Sequence, residues 1–242
     1  MRATLVVVAD AVALAQTVAE RFAAAAGRAI AERGRFSVAL AGGSTPTAAY
    51  AILADEPFRT RVDWANIRFF FGDERCVPPT DRDSNYGMAK AALFDPLAIA
   101  TESVFRIRGE DDPPVAAAAY AEVLRRELGA DARLDLLMLG MGPDGHTASL
   151  FPGVPTPLDS TLVVANFVPK LGSWRISIAP RVIAAARCIE VATAGPVKAA
   201  ALAHALDDPI DPARYPVQFV RAAAGETAWI VDRAAAADLR PA

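Results

Sequence analysis

Leu136-Leu137-Met138-Leu139-Gly140-Met141-Gly142-Pro143-Asp144-Gly145-His146-Thr147 is an apolar run of strand length that passes directly into a glycine-rich turn carrying one acid and one histidine. A run with no polar alternation predicts a strand buried on both faces, the pattern of a parallel sheet covered by helices. In such folds the loop at the carboxyl end of a strand is where binding and catalytic residues collect.

Reading outward from this stretch, apolar runs alternate with Ala-rich segments of helical length along the whole chain. Strands are expected at 5–9, 36–41, 67–71, 104–107, 134–140, 162–166, 175–179, 189–194 and 228–231, and their near-continuous hydrophobicity again suggests burial on both faces. Helices are expected at 11–33, 46–54, 86–94, 113–128, 180–187 and 196–206, several of them opened by a proline that needs no hydrogen bond at that position. The fold class that follows is α/β: a mostly parallel sheet covered by helices on both faces, Rossmann-like and doubly wound. The proline- and glycine-punctuated stretch 152–169 gives the least definite boundaries.

Composition narrows the class of partner. The chain has 242 residues, 53% of them hydrophobic and 22% charged, which supports a large core and a single domain over 1–242. A formal net charge of -3 with scattered arginines gives no electrostatic footprint for nucleic acid. Apolar stretches are broken well before the roughly 20 residues that a membrane crossing needs, so no membrane association is expected. The run Thr4 to Ala9 stops at Asp10 and reads as a first strand rather than a secretion signal. Cys76 and Cys188 are too few for a disulfide framework or a cysteine zinc site, which fits a cytoplasmic location. No obligate protein partner is inferred.

Three clusters carry the chemistry. In the first, His146 and Asp144 stand two residues apart in the glycine-framed turn, an imidazole with a carboxylate near it, suited to general base catalysis. That spacing does not itself guarantee contact between them. In the second, Gly42-Gly43-Ser44-Thr45-Pro46 follows a strand: glycines for close approach, Thr45 as a cap, and Pro46 as the first helical residue. Gly43, Ser44 and Thr45 thus form a candidate anion cradle, with free N–H groups and the helix dipole directed at a phosphate. The cradle lacks the lysine of a nucleotide P-loop and the spacing of a dinucleotide fingerprint, so neither nucleotide cofactor is indicated.

Lys198 supports the same reading. It lies in the first turn of an expected helix, where a cation is locally unfavourable unless an anion binds beside it. Arg175, alternating on a strand with Trp174 and Ile176, could reach the same anion. In the third cluster, the strand Phe69-Phe70-Phe71 ends in Gly72-Asp73-Glu74-Arg75. Arg75 suits a carboxyl or a developing oxyanion, and Asp73 suits hydroxyls or a shared proton. Asp83-Ser84-Asn85-Tyr86-Gly87 reads as a polar turn with a cap at Ser84 or Asn85 that braces the preceding loop. His204, on an Ala-rich helix with no glycine framing, reads as a surface or partly buried residue.

The segments GGSTP (42–46), FFGDER (70–75), DSNYGMA (83–89), LGMGPDGHTASLFP (139–152), RISIAP (175–180) and GPVKAAAL (195–202) occur in this order over nearly the whole chain. In this the chain resembles the 6-phosphogluconolactonases, within a wider group that includes glucosamine-6-phosphate deaminases. The resemblance implies hydrolysis of 6-phosphoglucono-1,5-lactone to 6-phosphogluconate in the oxidative pentose phosphate pathway, on a small-molecule substrate, with no metal and no cofactor. By the same resemblance His146 is the general base, Arg75 and Asp73 are polar active-site residues, and Ser44, Lys198 and Arg175 form the phosphate site. The related deaminases carry a further acid after the DGH element, whereas here Thr147-Ala148-Ser149-Leu150-Phe151-Pro152 follows. Two other functions are open to the residues alone: an amino-sugar-phosphate isomerase or deaminase using Asp73 and His146, and a sugar-phosphate sensor without turnover.

Overall fold

The computed structural model describes residues 3–240. In chain order it runs β1 (Ala3–Val8), α1 (Ala11–Arg33), β2 (Phe36–Leu40), α2 (Ser44–Leu53), α3 (Phe58–Arg61), β3 (Ile67–Phe71), β4 (Asp73–Arg75) and α4 (Asn85–Ala89). It continues with α5 (Pro113–Leu128), β5 (Leu136–Leu139), β6 (Val163–Val168), β7 (Ser173–Ile178), α6 (Pro180–Ala185), β8 (Cys188–Thr193), α7 (Ala199–Asp207) and β9 (Glu226–Asp232).

Local chemistry explains the longest helix. The Asp10 carboxylate caps α1 by accepting from the N–H groups of Val12 at 3.0 Å and Ala13 at 2.9 Å. Leu14, Val18, Phe22, Ala25 and Ala29 recur at helical spacing and form its buried face. Gly34, in the left-handed region at φ 73°, ends it. Asp112 caps α5 in the same way, and prolines occupy the first helical positions, where the missing N–H is not needed.

Six strands form one parallel sheet in the order β1-β9-β8-β5-β2-β3. From β2 the chain moves outward to β3, but from β5 it moves the other way, through β8 to β9. The order therefore reverses between β2 and β5, and the crevice beyond their carboxyl ends is where ligands bind in open α/β sheets. The expected α/β class, a parallel sheet with helical cover, is the observed one. The core strands β2 and β5 are buried throughout, as their unbroken hydrophobicity implied. β1 departs from that expectation: it is an edge strand, and Leu5 and Val7 remain exposed.

The segments 162–166 and 175–179, expected as strands, are strands but do not join the parallel sheet. They lie in β6 and β7, which pair antiparallel, and with β4 they form a separate sheet in the order β4-β7-β6. The two sheets meet at Gly72, whose N–H donates to Leu40 O at 3.0 Å and whose carbonyl accepts from Ile178 N at 2.9 Å. Residues 73–75, read in the sequence as charged residues at a strand end, are themselves a strand of this second sheet.

The strand expected at 104–107 is corrected to a single parallel bridge between Phe69 and Val104. Phe105 N donates to Phe69 O at 2.8 Å and its ring stacks on Phe70, and then Arg106 turns to pair with Glu110 through two hydrogen bonds. Apolar burial is satisfied there without a ladder. The helix expected at 86–94 begins as α4 and continues as a π-turn over Lys90–Phe94. The one expected at 196–206 opens with a 3-10 turn, Pro196–Lys198, before α7.

Two buried tyrosines fix the strand ends that face the crevice. Tyr50 OH accepts from Ala41 N at 3.0 Å and donates to Ala41 O at 2.9 Å, just beyond β2. Tyr120 OH makes the same pair of contacts with Phe71 at the end of β3, at 2.8 and 3.0 Å. Each hydroxyl satisfies backbone groups where the ladder ends, and a buried backbone group left unpaired would destabilise the fold. Among the described residues no helix is long and apolar enough to cross a membrane.

Candidate active site

The carboxyl ends of β2, β3, β5 and β8 surround a cavity of about 260 Å³. Gly43, Ser44, Thr45, Asp73, Arg75, His146 and Lys198, which lie far apart in sequence, all line it.

On one side the cradle differs from its sequence reading in one respect. Thr45 does not cap the helix: α2 begins at Ser44 with Gly43 as its capping residue, and no side chain caps it. Gly43 sits at φ 102°, a conformation that a side chain would strain. Its carbonyl is taken by Thr47, whose N–H and hydroxyl donate to it at 3.2 and 2.8 Å. Ser44 and Thr45, in the first turn of α2, thus line the cavity together with the positive end of the helix dipole and N–H groups that no side chain caps. Lys198, the capping residue of α7, lines the cavity from β8. It makes no salt bridge among the described residues, and burial holds its ammonium below the usual lysine range.

On the other side is the histidine loop. Gly142 N donates to His146 O at 2.8 Å, and His146 N donates to Asp144 Oδ1 at 3.2 Å, closing a tight turn. Within it Asp144 Oδ1 lies 2.6 Å from His146 Nδ1. The turn needs glycine at 142, because a Cβ there would fall 2.0 Å from His146 Nδ1 and 2.6 Å from Asp144 Oδ1. The ring stacks on Phe151 at 4.3 Å, and the Lys170 ammonium, 4.7 Å above the same phenyl ring, pairs with Asp144 Oδ2. Burial pushes His146 down to about 4; the cations Lys198, Arg75 and Arg175 push the same way, and Asp73 opposes them. The imidazole is therefore neutral near pH 7. With Nδ1 held against a carboxylate as donor, Nε2 keeps its lone pair.

Between these walls stand Asp73 and Arg75. The Asp73 carboxylate is buried; its Oδ2 accepts from Ser149 Oγ at 2.6 Å and its Oδ1 from Asn85 Nδ2 at 3.3 Å. Glu74 points away, and its carboxylate accepts from the backbone N–H groups of Arg75, Asn85 and Tyr86 at 2.8, 2.7 and 2.8 Å. With Ser84 capping α4 through Gly87 N at 3.0 Å, this ties the 83–87 turn to the strand that carries Asp73 and Arg75. Arg75 donates to Asp83 O at 2.5 Å.

Arg175 is placed differently from the other candidates. It pairs across the second sheet with Arg75 and donates to Ser173 Oγ at 2.8 Å and Trp174 O at 2.9 Å, off the cavity wall. Burial and the neighbouring Arg75 lower its proton affinity. Asp144 likewise does not line the cavity; it stands behind His146. Sequence reasoning passed over Ser149, Phe151 and Lys170, and read Asn85 only as a helix cap. Ser149 and Phe151 lie inside a motif segment quoted above, but the partner of Ser149 is 76 residues away and leaves no local signal. His204 is half-exposed on α7, bonded to Asp208 at 2.7 Å and stacked on Tyr215, away from the cavity.

Residues 9–229 match the family model of glucosamine-6-phosphate isomerases/6-phosphogluconolactonase. The 6-phosphogluconolactonase of Haemophilus influenzae is 38% identical over 198 residues, 82% of this chain and 85% of that protein. That of Treponema pallidum is 44% identical over 177 residues, 71% of this chain and 73% of its own. The solved structure of 6-phosphogluconolactonase from Trypanosoma brucei superposes with a TM-score of 0.88 at 29% identity, covering 99% of both chains. With its fold, its motif order and these matches in agreement, the chain belongs to the glucosamine-6-phosphate isomerase/6-phosphogluconolactonase family.

Proposed function

We propose that this chain hydrolyses 6-phospho-D-glucono-1,5-lactone to 6-phospho-D-gluconate, the lactonase step of the oxidative pentose phosphate pathway, with His146 as the general base. The observation that carries the reading is the position of His146. A neutral imidazole, fixed at Nδ1 by Asp144 at 2.6 Å, lines the same cavity as an uncapped helix start and a lysine without an acidic partner among the described residues. The relatives that the chain matches along most of its length are 6-phosphogluconolactonases. The cavity walls come from residues 41 to 198, so the chain acts as one functional unit.

The phosphate binds at Gly43, Ser44 and Thr45 with Lys198 as counter-charge, and Arg175 strengthens the positive potential from beside Arg75. That anchors the far end of the sugar and leaves the lactone carbonyl toward His146. Nε2 takes a proton from water as the water oxygen bonds to the carbonyl carbon, and Arg75 stabilises the oxyanion that forms. The tetrahedral intermediate then collapses, the bond from the carbonyl carbon to the ring oxygen breaks, and the imidazolium returns its proton to that oxygen. Asp144 keeps the ring oriented and supports its charged form during the interval.

The experiment is to add freshly prepared 6-phosphogluconolactone and, separately, glucosamine 6-phosphate to the purified protein. Acid release from the lactone above the spontaneous rate, with no ammonia from the amino sugar, is the expected result. Ammonia release, or binding of both compounds without turnover, would overturn it.

A further inference from the structure

Among the described residues Asp73 is the one carboxylate on the cavity wall, and the protein constrains it closely. Ser149 Oγ donates to Asp73 Oδ2 at 2.6 Å, a short charge-assisted bond, while Asn85 Nδ2 approaches Oδ1 at 3.3 Å and Asp73 O at 2.9 Å. Ser149 is itself held at both ends of its backbone: its N–H donates to Ser177 Oγ at 3.2 Å, and its carbonyl accepts from Asn166 Nδ2 at 3.3 Å. Ser149, Ser177, Asn166 and Asn85 are all buried, so none of these partners is exchangeable with bulk water. Ala148, at φ 46°, turns the chain through the left-handed region between His146 and Ser149. A residue without glycine's freedom adopts that conformation only where its surroundings impose it.

We infer that Ser149 is a positioning residue that fixes Asp73 as a stationary anion beside His146, so that Asp73 stabilises the imidazolium electrostatically instead of accepting a proton. The hydroxyl proton of Ser149 is already directed at Oδ2, and the amide of Asn85 is directed at Oδ1. A carboxylate with both oxygens engaged by donors is held in one orientation and is a well-placed counter-charge. The half-buried histidine becomes charged once per turnover, and this is the interval in which such a charge is effective. The charged groups facing His146 are Asp144 on its own loop with Lys170 behind it, Asp73 and Arg75 on β4, Arg175 on β7, and Lys198 before α7. The kinetic part of this inference rests on the lactonase reading; the structural part does not.

The test is a cycle of Ser149→Ala, Asp73→Asn and the double variant, with Ser149→Cys as a near-isosteric second probe in case the alanine does not fold. The His146 Hε1 resonance is followed from pH 7.5 down to 4.5, and His204→Gln assigns it, since the chain has two histidines. In Ser149→Ala the onset of the His146 titration should move to lower pH, and kcat should fall on the order of 10-fold, toward the 10²-fold that a misplacement of about 1 Å can cause, with KM nearly unchanged. In the Asp73→Asn background both effects of Ser149→Ala should vanish. An unchanged His146 onset, or an effect of equal size with and without Asp73, overturns the inference. If wild type fails to open the lactone, the lactonase reading fails instead, and the His146 titration still decides the role of Ser149.

Discussion

Asp144 Oδ1 lies 2.6 Å from His146 Nδ1, and the same oxygen accepts from the His146 backbone N–H at 3.2 Å, so one carboxylate fixes both the ring and the turn that carries it. An isolated turn of this spacing would not impose such a contact. Here the loop is closed at Gly142, braced by Val217 N donating to Gly145 O at 2.9 Å, and backed by Lys170 on the other carboxylate oxygen.

This pair makes the first prediction. His146→Gln should fold normally and lose hydrolysis by on the order of 10²-fold or more, as removal of a general base does. Asp144→Asn should also be severe, because an amide can donate to Nδ1 and so move the ring proton to Nε2, where the lone pair is needed. Rates corrected for spontaneous opening, with circular dichroism as the control for folding, check both. Near wild-type turnover in a folded His146→Gln protein would remove His146 from the mechanism.

The depressed proton affinity of His146 has a consequence for stability. Its folded value of about 4 lies below an unfolded value of about 6.5, so between those limits the unfolded chain binds more protons. The stability gained from keeping the ring neutral is complete above about pH 6.5 and is lost as pH falls through about 4. Urea midpoints should therefore decline between pH 7 and pH 4.5 more steeply in wild type than in His146→Gln. Parallel declines would show that the histidine is not held neutral by burial.

How much of this was legible follows the range of the contacts. The cradle at 42–46 and the loop at 140–147 are local, and their glycines mark backbone conformations and close approaches, so the sequence alone pointed to both. The second sheet was not legible, because β4 is only three residues long and finds its partner about a hundred residues later, with Arg75 opposite Arg175. For the same reason Arg175, expected at the anion, stands beside Arg75 on the neighbouring strand and does not line the cavity. Val104 to Ile107 has the composition of a strand, but the edge of β3 offers it one bridge and aromatic stacking on Phe70, and no periodicity distinguishes that from a ladder. Ser149 to Asp73 is a contact of the same long-range kind.

A third prediction concerns metals. Among the described residues no three His, Cys, Asp or Glu side chains converge in a way that could hold an ion, and His204 is occupied by Asp208. Treatment with EDTA should leave the lactone-opening rate unchanged. Reproducible loss, with recovery on adding back one divalent ion, would contradict the metal-free mechanism.

The last prediction isolates the phosphate end of the site. Lys198 lines the cavity where α7 begins, so its charge opposes the helix dipole, and burial further disfavours the ammonium. Both penalties are offset when a phosphate binds between it and the uncapped start of α2. Lys198→Ala should therefore weaken binding of 6-phosphogluconate by about 10-fold to 100-fold, the equivalent of one charge-assisted contact of roughly 1.5 to 3 kcal/mol, and leave binding of unphosphorylated gluconate nearly unchanged. The apo protein should be no less stable, and slightly more so where relief of the dipole conflict outweighs lost packing. Because Lys198 also disfavours the imidazolium, the same substitution should raise the proton affinity of His146, which its NMR titration reads directly. Titrations of both acids against wild type and variant at fixed ionic strength decide the matter, since the contact is ionic and screened by salt. Equal affinity of the two proteins for 6-phosphogluconate would place the phosphate elsewhere in the cavity.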